Sequence, residues 1–153
     1  MLRPDLGDFC SIVCFKAAIT GMEDALGEKT TAIALTAAGR TRGKMLAQEL
    51  GLVGLSLTLE EITQKIGLAI GKEGTRLCIV EKIVQNGDAI EVYTSETLCS
   101  AGEPLGSTRK CTYTLGAIWG LLEQVFGKRL QGKHTKFVPL GSDYDVFEFT
   151  ELK

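Results

Sequence analysis

Apolar residues recur three and four apart through Ile12, Phe15, Ile19, Met22 and Leu26. That spacing predicts an amphipathic helix from Asp8 to Leu26, stopped by Gly27. A second helix is predicted over Thr30 to Leu50. Leu35, Gly39, Gly43, Leu46 and Leu50 lie along one side, Arg40, Arg42 and Lys44 face water, and the glycines permit a tight crossing. Thr58-Leu59-Glu60-Glu61 has the form of a capping box before Leu59, Ile62, Ile66 and Ile70, which predicts a third helix. The period changes after Gly74. Arg76 to Val84 is rich in Ile and Val, Asn86-Gly87 has the chemistry of a tight primed turn, and Ala89 to Ser95 resumes as strand. Thr97 to Lys110 carries Ser, Gly and Pro and reads as loop. Leu115, Ile118, Trp119, Leu122, Val125 and Phe126 then mark a fourth helix, closed by Gly127. His134 to Leu140 and Tyr144 to Phe149, around Gly141-Ser142-Asp143, predict a second hairpin with Pro139 on an edge strand. The expected class is α+β, with helices on a twisted antiparallel sheet in one domain over residues 1–153.

Composition narrows the function classes. The 17 Lys plus Arg against 19 Asp plus Glu leave a formal charge of -2, which offers no electrostatic footprint for nucleic acid. Apolar residues make up 44 % of the 153, and no run approaches the roughly 18 needed to span a bilayer. The 18 glycines exceed the usual share of about 7 % and fall inside apolar segments, which implies close backbone packing. Cys10, Cys14, Cys78, Cys99 and Cys111 are odd in number and form no CxxC pair, so reduced thiols are expected. Lys16 interrupts the apolar start of the chain. A cytoplasmic location is therefore favoured over a signal peptide, with peripheral membrane contact left open.

Catalytic motifs are sparse. Gly21 to Thr30 approximates a phosphate loop, but its glycine spacing is one too long, Glu28 displaces the lysine, and a helix precedes it where a strand is required. No strand-to-helix glycine fingerprint for a dinucleotide is present. His134 is the single imidazole and reads as an exposed strand-end residue. Cys111 stands at the start of the fourth helix, where dipole and free amides can stabilise a thiolate. Cys10 and Cys14, four apart, suit two metal ligands or two small core residues, and core is the preferred reading.

The run Cys111-Thr112-Tyr113-Thr114-Leu115-Gly116-Ala117-Ile118-Trp119-Gly120-Leu121-Leu122-Glu123, followed by Phe126-Gly127-Lys128 and by Phe137 to Phe147, resembles the 4-vinyl-reductase, or hydrocarbon-binding, domain family. The glycine-bearing second helix, the Asn86-Gly87 hairpin and Glu96-Thr97-Leu98-Cys99 also fit. The resemblance implies a fold shared with small subunits of the vesicle-tethering TRAPP complex and with sensor domains of aromatic-responsive activators. It further implies homodimers that hold an apolar molecule or acyl chain. Cys111, Leu115, Gly116, Trp119, Gly120 and Phe126 are the ligand-binding candidates. Gly116 and Gly120, one turn apart, admit either another backbone or a flat ligand.

Metal-containing members hold zinc at places matched here by Cys111, His134, Phe137 and Asp145. Phe137 cannot ligate, so Cys111, His134 and Asp145 remain as candidate ligands and zinc is not expected. No nicotinamide, flavin or iron-sulfur motif accompanies the domain. The expected function is non-catalytic binding of a tetrapyrrole, chlorophyll-type pigment or lipid, accessory to photosystem assembly through pigment-synthesis or assembly proteins. The alternatives are a dimeric adaptor without ligand and a component of a tetrapyrrole vinyl reductase.

Overall fold

The structure, a computed structural model, describes residues 2–153. Three helices come first: α1 (Ile12–Leu26), α2 (Glu28–Glu49) and α3 (Leu59–Ile70). A hairpin of β1 (Ile79–Asn86) and β2 (Ala89–Ser95) follows, then α4 (Thr112–Phe126), β3 (Leu130–Lys136), a 3-10 turn (Val138–Leu140) and β4 (Asp145–Glu151). The four strands form one antiparallel sheet in the order β1-β2-β4-β3. The α+β class and the sheet of the sequence reading are therefore present.

The inner sheet face is set by period-two alternation. Ile83, Val92, Phe147 and His134 stand in one cross-strand row, and Ile90, Phe149 and Gly132 in the next. Ile62, Ile66 and Ile70 of α3 and Ile118, Leu122 and Val125 of α4 join Ile83, Val92, Phe147 and Phe149 in one apolar cluster. The opposite side of α4 meets α2. A Cβ built on Gly116 would stand 2.2 Å from the Thr36 carbonyl oxygen, and one on Gly120 2.0 Å from that of Arg40. Gly39 and Gly43 answer from α2, at 2.2 Å from the Tyr113 oxygen and 2.0 Å from the Ala117 oxygen. Four glycines thus bring two helix backbones into direct contact. The layers run sheet, α4, α2, with α1 outermost against α2.

The capping box stands as expected: the Glu61 amide donates to the Thr58 hydroxyl at 3.2 Å, and the Thr58 amide to the Glu61 carboxylate at 2.8 Å. Gly127 ends α4 in the left-handed region at φ 63°. Other expectations need correction. The first helix begins at Ile12, because the Ser11 hydroxyl accepts from the Val13 amide and caps it there. Cys10 and Cys14 are exposed and not core. Arg40 is only half-exposed and pairs with Glu123 of α4. The first strand starts at Ile79, and Gly87-Asp88 form the two-residue turn, with Asn86 opposite Ala89.

The second hairpin was displaced most. Its first strand is Leu130–Lys136, and Pro139 sits buried in the 3-10 turn instead of on an edge strand. The inward positions of β3 are Leu130, Gly132 and His134, of which only one is a large apolar residue, so alternation carries no signal there. No helix among the described residues is long and apolar enough to cross a membrane.

Candidate functional site

Two places in this fold carry chemistry. The first is a buried polar centre where the start of α4, the β3–β4 hairpin and the segment leaving β2 meet. The register places His134 on the inner face, opposite Phe147, and a bulge between His134 and Lys136 follows it. The His134 side chain is 2 % exposed, which corrects the exposed strand-end reading. Phe137 and Phe147 stack on its ring, with centroids at 3.9 and 4.7 Å.

His134 Nδ1 accepts from the Cys111 amide at 3.4 Å, which leaves Nε2–H to donate to Asp145 Oδ1 at 3.1 Å. The same carboxylate accepts the Val138 amide at 3.1 Å and the Thr97 hydroxyl at 2.5 Å. Burial alone would raise the Asp145 pKa, but bonds from His134, Ser100, Thr97 and Val138 prevail and hold it below the usual carboxylate range. Cys111, the N-cap residue of α4, lies 3.5 Å from both the Ser100 and the Thr97 hydroxyls. A hydrogen bond from Cys99, opposed by burial and by Asp145, draws its thiol pKa down, while the bond to Cys111 and burial push that of Cys99 up. Burial likewise pushes the Cys78 thiol up.

Cys111, His134 and Asp145 are thus brought together, with a ligand atom from each within 4.8 Å of the others. Among the described residues no fourth ligand atom joins the three within that distance. Phe137 offers a ring stacked on His134 and no donor atom. The imidazole and the carboxylate are each satisfied by protein hydrogen bonds. Three protein ligands fall one short of the tetrahedral four-ligand set of a closed structural zinc site.

The second place is an apolar pocket of about 210 Å³ between α1, α2, the end of α3 and α4, open to solvent on one side. Phe15, Leu46, Ile70, Leu77, Leu98, Tyr113, Ala117, Ile118 and Leu121 form its wall, and Cys10, Arg42, Thr75 and Arg76 are its polar members. None of the six ligand-binding candidates from the sequence lines it. Cys111 belongs to the polar centre, Leu115 and Phe126 pack on the main core, and Gly116 and Gly120 touch α2. Trp119 donates to the Leu130 carbonyl at 2.9 Å and borders a wider, polar groove with Arg40, Arg109 and Lys110. The pocket residues that the sequence reading missed, Tyr113, Ala117 and Leu121, are four apart and form the stripe beside the glycine stripe. That spacing was the signal.

No family model matches the sequence, and no curated protein does. Solved structures do match in fold. The phenol-responsive sensory domain of the transcription activator PoxR, with phenol, superposes at a TM-score of 0.75 and 11 % identity, over 95 % of this chain and 76 % of that one. A trafficking protein particle complex subunit 3 from Naegleria fowleri, covalently bound to palmitic acid, gives 0.58 at 17 % identity over 93 % of each chain. A vinyl-4-reductase family protein from Methanocaldococcus jannaschii gives 0.54 at 18 % identity, over 97 % of this chain and 85 % of that one. The fold relationships implied by the sequence resemblance are therefore shown.

Proposed function

We propose that this domain binds a small apolar molecule, without turning it over, in the pocket between α1, α2, α3 and α4. The observation that carries the reading is the pocket itself: about 210 Å³ walled mainly by aliphatic and aromatic side chains. Its lining brings neither an imidazole nor a carboxylate that could serve as a general base. Fold neighbours that carry phenol and palmitic acid support ligand binding in general.

Volume selects within the class. A dry cavity of about 150 Å³ accepts benzene, so 210 Å³ suits one aromatic ring or a short acyl chain. A tetrapyrrole has four such rings and would lie largely outside. The pigment-assembly role is therefore the less favoured form of the proposal.

The test is native mass spectrometry of the purified protein with analysis of extracted lipid and pigment, followed by thermal-shift titration with phenol, benzyl alcohol, octanoate and a porphyrin. One-ring or short-chain compounds are expected to stabilise the protein and the porphyrin to leave it unchanged. Empty protein that ignores all four would contradict the proposal. A homodimeric adaptor is the second reading, favoured by the exposed apolar side chains Ile12, Val13, Leu26 and Ile33. Empty protein that sediments as a dimer would favour it.

The polar centre is proposed to be metal-free. Zinc below about a tenth of an equivalent after purification without chelators is expected, and one equivalent would contradict this.

A further inference from the structure

The charged residues of the pocket lining are both arginines. Arg42 and Arg76 both line it, and no Asp or Glu does. Arg42 is held by Glu49, with Nη atoms 2.8 and 3.1 Å from the carboxylate oxygens. That pairing fixes its position and leaves other N–H groups unused. Arg76 has no such partner: its Nε donates to the Lys72 carbonyl at 3.1 Å, its guanidinium lies 4.7 Å over the Phe9 ring, and no ion pair engages it among the described residues.

The backbone of Arg76 is a second, independent observation. Its φ of 55° lies in the left-handed region, one of only two such non-glycine residues among those described. The conformation is imposed by the chain around it, through Arg76 N to the Gly71 carbonyl at 3.0 Å and Leu77 N to the Ile70 carbonyl at 2.8 Å. Glycine is the residue this backbone favours. A long cationic side chain stands there instead, in a residue that lines an apolar pocket, and strain of this kind concentrates at ligand-contacting positions.

We propose that the pocket selects amphiphiles with a carboxylate head, an aromatic or short-chain acid, whose apolar body fills the wall while the head meets Arg76 and Arg42. The proposal rests on the ligand-binding reading and names its substrate class. Arg76 is exposed, so the head group would sit at the solvent boundary of the pocket, where a planar guanidinium supplies two parallel N–H groups to a carboxylate.

The test compares matched pairs, benzoate with benzyl alcohol and octanoate with 1-octanol, by calorimetric titration of the full chain. Wild type and Arg76→Gly are used, the latter fitting the left-handed backbone and so expected to remain folded by circular dichroism. The acids are expected to bind wild type about tenfold more tightly than the alcohols. Arg76→Gly is expected to reduce that preference to below about threefold, the acids losing more affinity than the alcohols. Equal affinity for acids and alcohols in wild type would overturn the selectivity and leave the pocket standing, since the arginine stems would then serve only as apolar wall. A preference that survives Arg76→Gly would overturn the role given to Arg76. Binding of neither member of either pair would overturn the ligand-binding reading as well.

Discussion

A methyl group decides the contact between α2 and α4. At Gly120 the place of a Cβ is 2.0 Å from a backbone oxygen of α2, which no rotamer change can relieve, so the helices must separate. Gly120→Ala is expected to lower stability by about 3 kcal/mol, as overpacked cores do. Gly21 is the matching control, a helical glycine with nothing within 4 Å of its Cβ position. There the same substitution is expected to raise stability by about 0.5–1 kcal/mol through helix propensity alone. Urea denaturation of the two variants checks both signs. If Gly120→Ala were neutral, the direct backbone contact would be wrong. At β3, Gly132 acts in the same way for ring packing, because a Cβ would stand 2.6 Å from Phe149 and 3.0 Å from Trp119.

Between elements, one buried carboxylate ties α2, α4 and β3 together. Glu123 of α4 is 6 % exposed and accepts from Arg40 Nε and Nη2, at 3.0 and 2.6 Å, and from the Leu130 amide at 3.0 Å. Trp119 adds its indole N–H at 3.3 Å. Burial works to raise the Glu123 pKa, yet Arg40, the Leu130 amide and Lys44 outweigh it and the value lies below the usual one. A carboxyl lowered on folding contributes stability that is whole above its unfolded pKa and is lost as pH falls through the folded value. The melting temperature is therefore expected to fall as pH drops below about 4.3, the ordinary glutamate value. Glu123→Gln is expected to cost about 2 kcal/mol at pH 7 and to flatten that acid limb by up to one proton's slope. An unchanged limb in thermal melts from pH 6 to pH 3 would refute the network's role.

Over the whole molecule, the architecture was legible because its signals were strong and local. Period-3.6 apolar stripes, the Thr58–Glu61 box and Gly127 placed all four helices, and Ile and Val enrichment placed the first hairpin. The second hairpin was less legible, since Gly132 and His134 occupy inward positions where apolar residues would announce a strand. Of the candidate site, the Cys111, His134 and Asp145 cluster was recovered through the family resemblance, as three residues so far apart in sequence have no periodic relation. The ligand-binding candidates were placed on the glycine side of α4, whereas the apolar pocket runs along Tyr113, Ala117 and Leu121. Gly116 and Gly120 marked close approach correctly, and sequence alone could not distinguish a helix from a ligand as the approaching body. Tyr113, Ala117 and Leu121, one turn apart beside the glycine stripe, received no role in the sequence reading, and they line the pocket together with residues of α1 and of the α3–β1 connection.

The central claim is that these helical layers leave a ligand-sized apolar space open on one side. Calorimetric titration of benzyl alcohol into wild type and Leu77→Trp, a variant that places an indole at the pocket wall, tests it most directly. Wild type is expected to show saturable one-to-one binding with a negative heat-capacity change, and Leu77→Trp to stay folded and lose it. Absence of saturable heat in wild type, or equal binding by the filled variant, would contradict the claim.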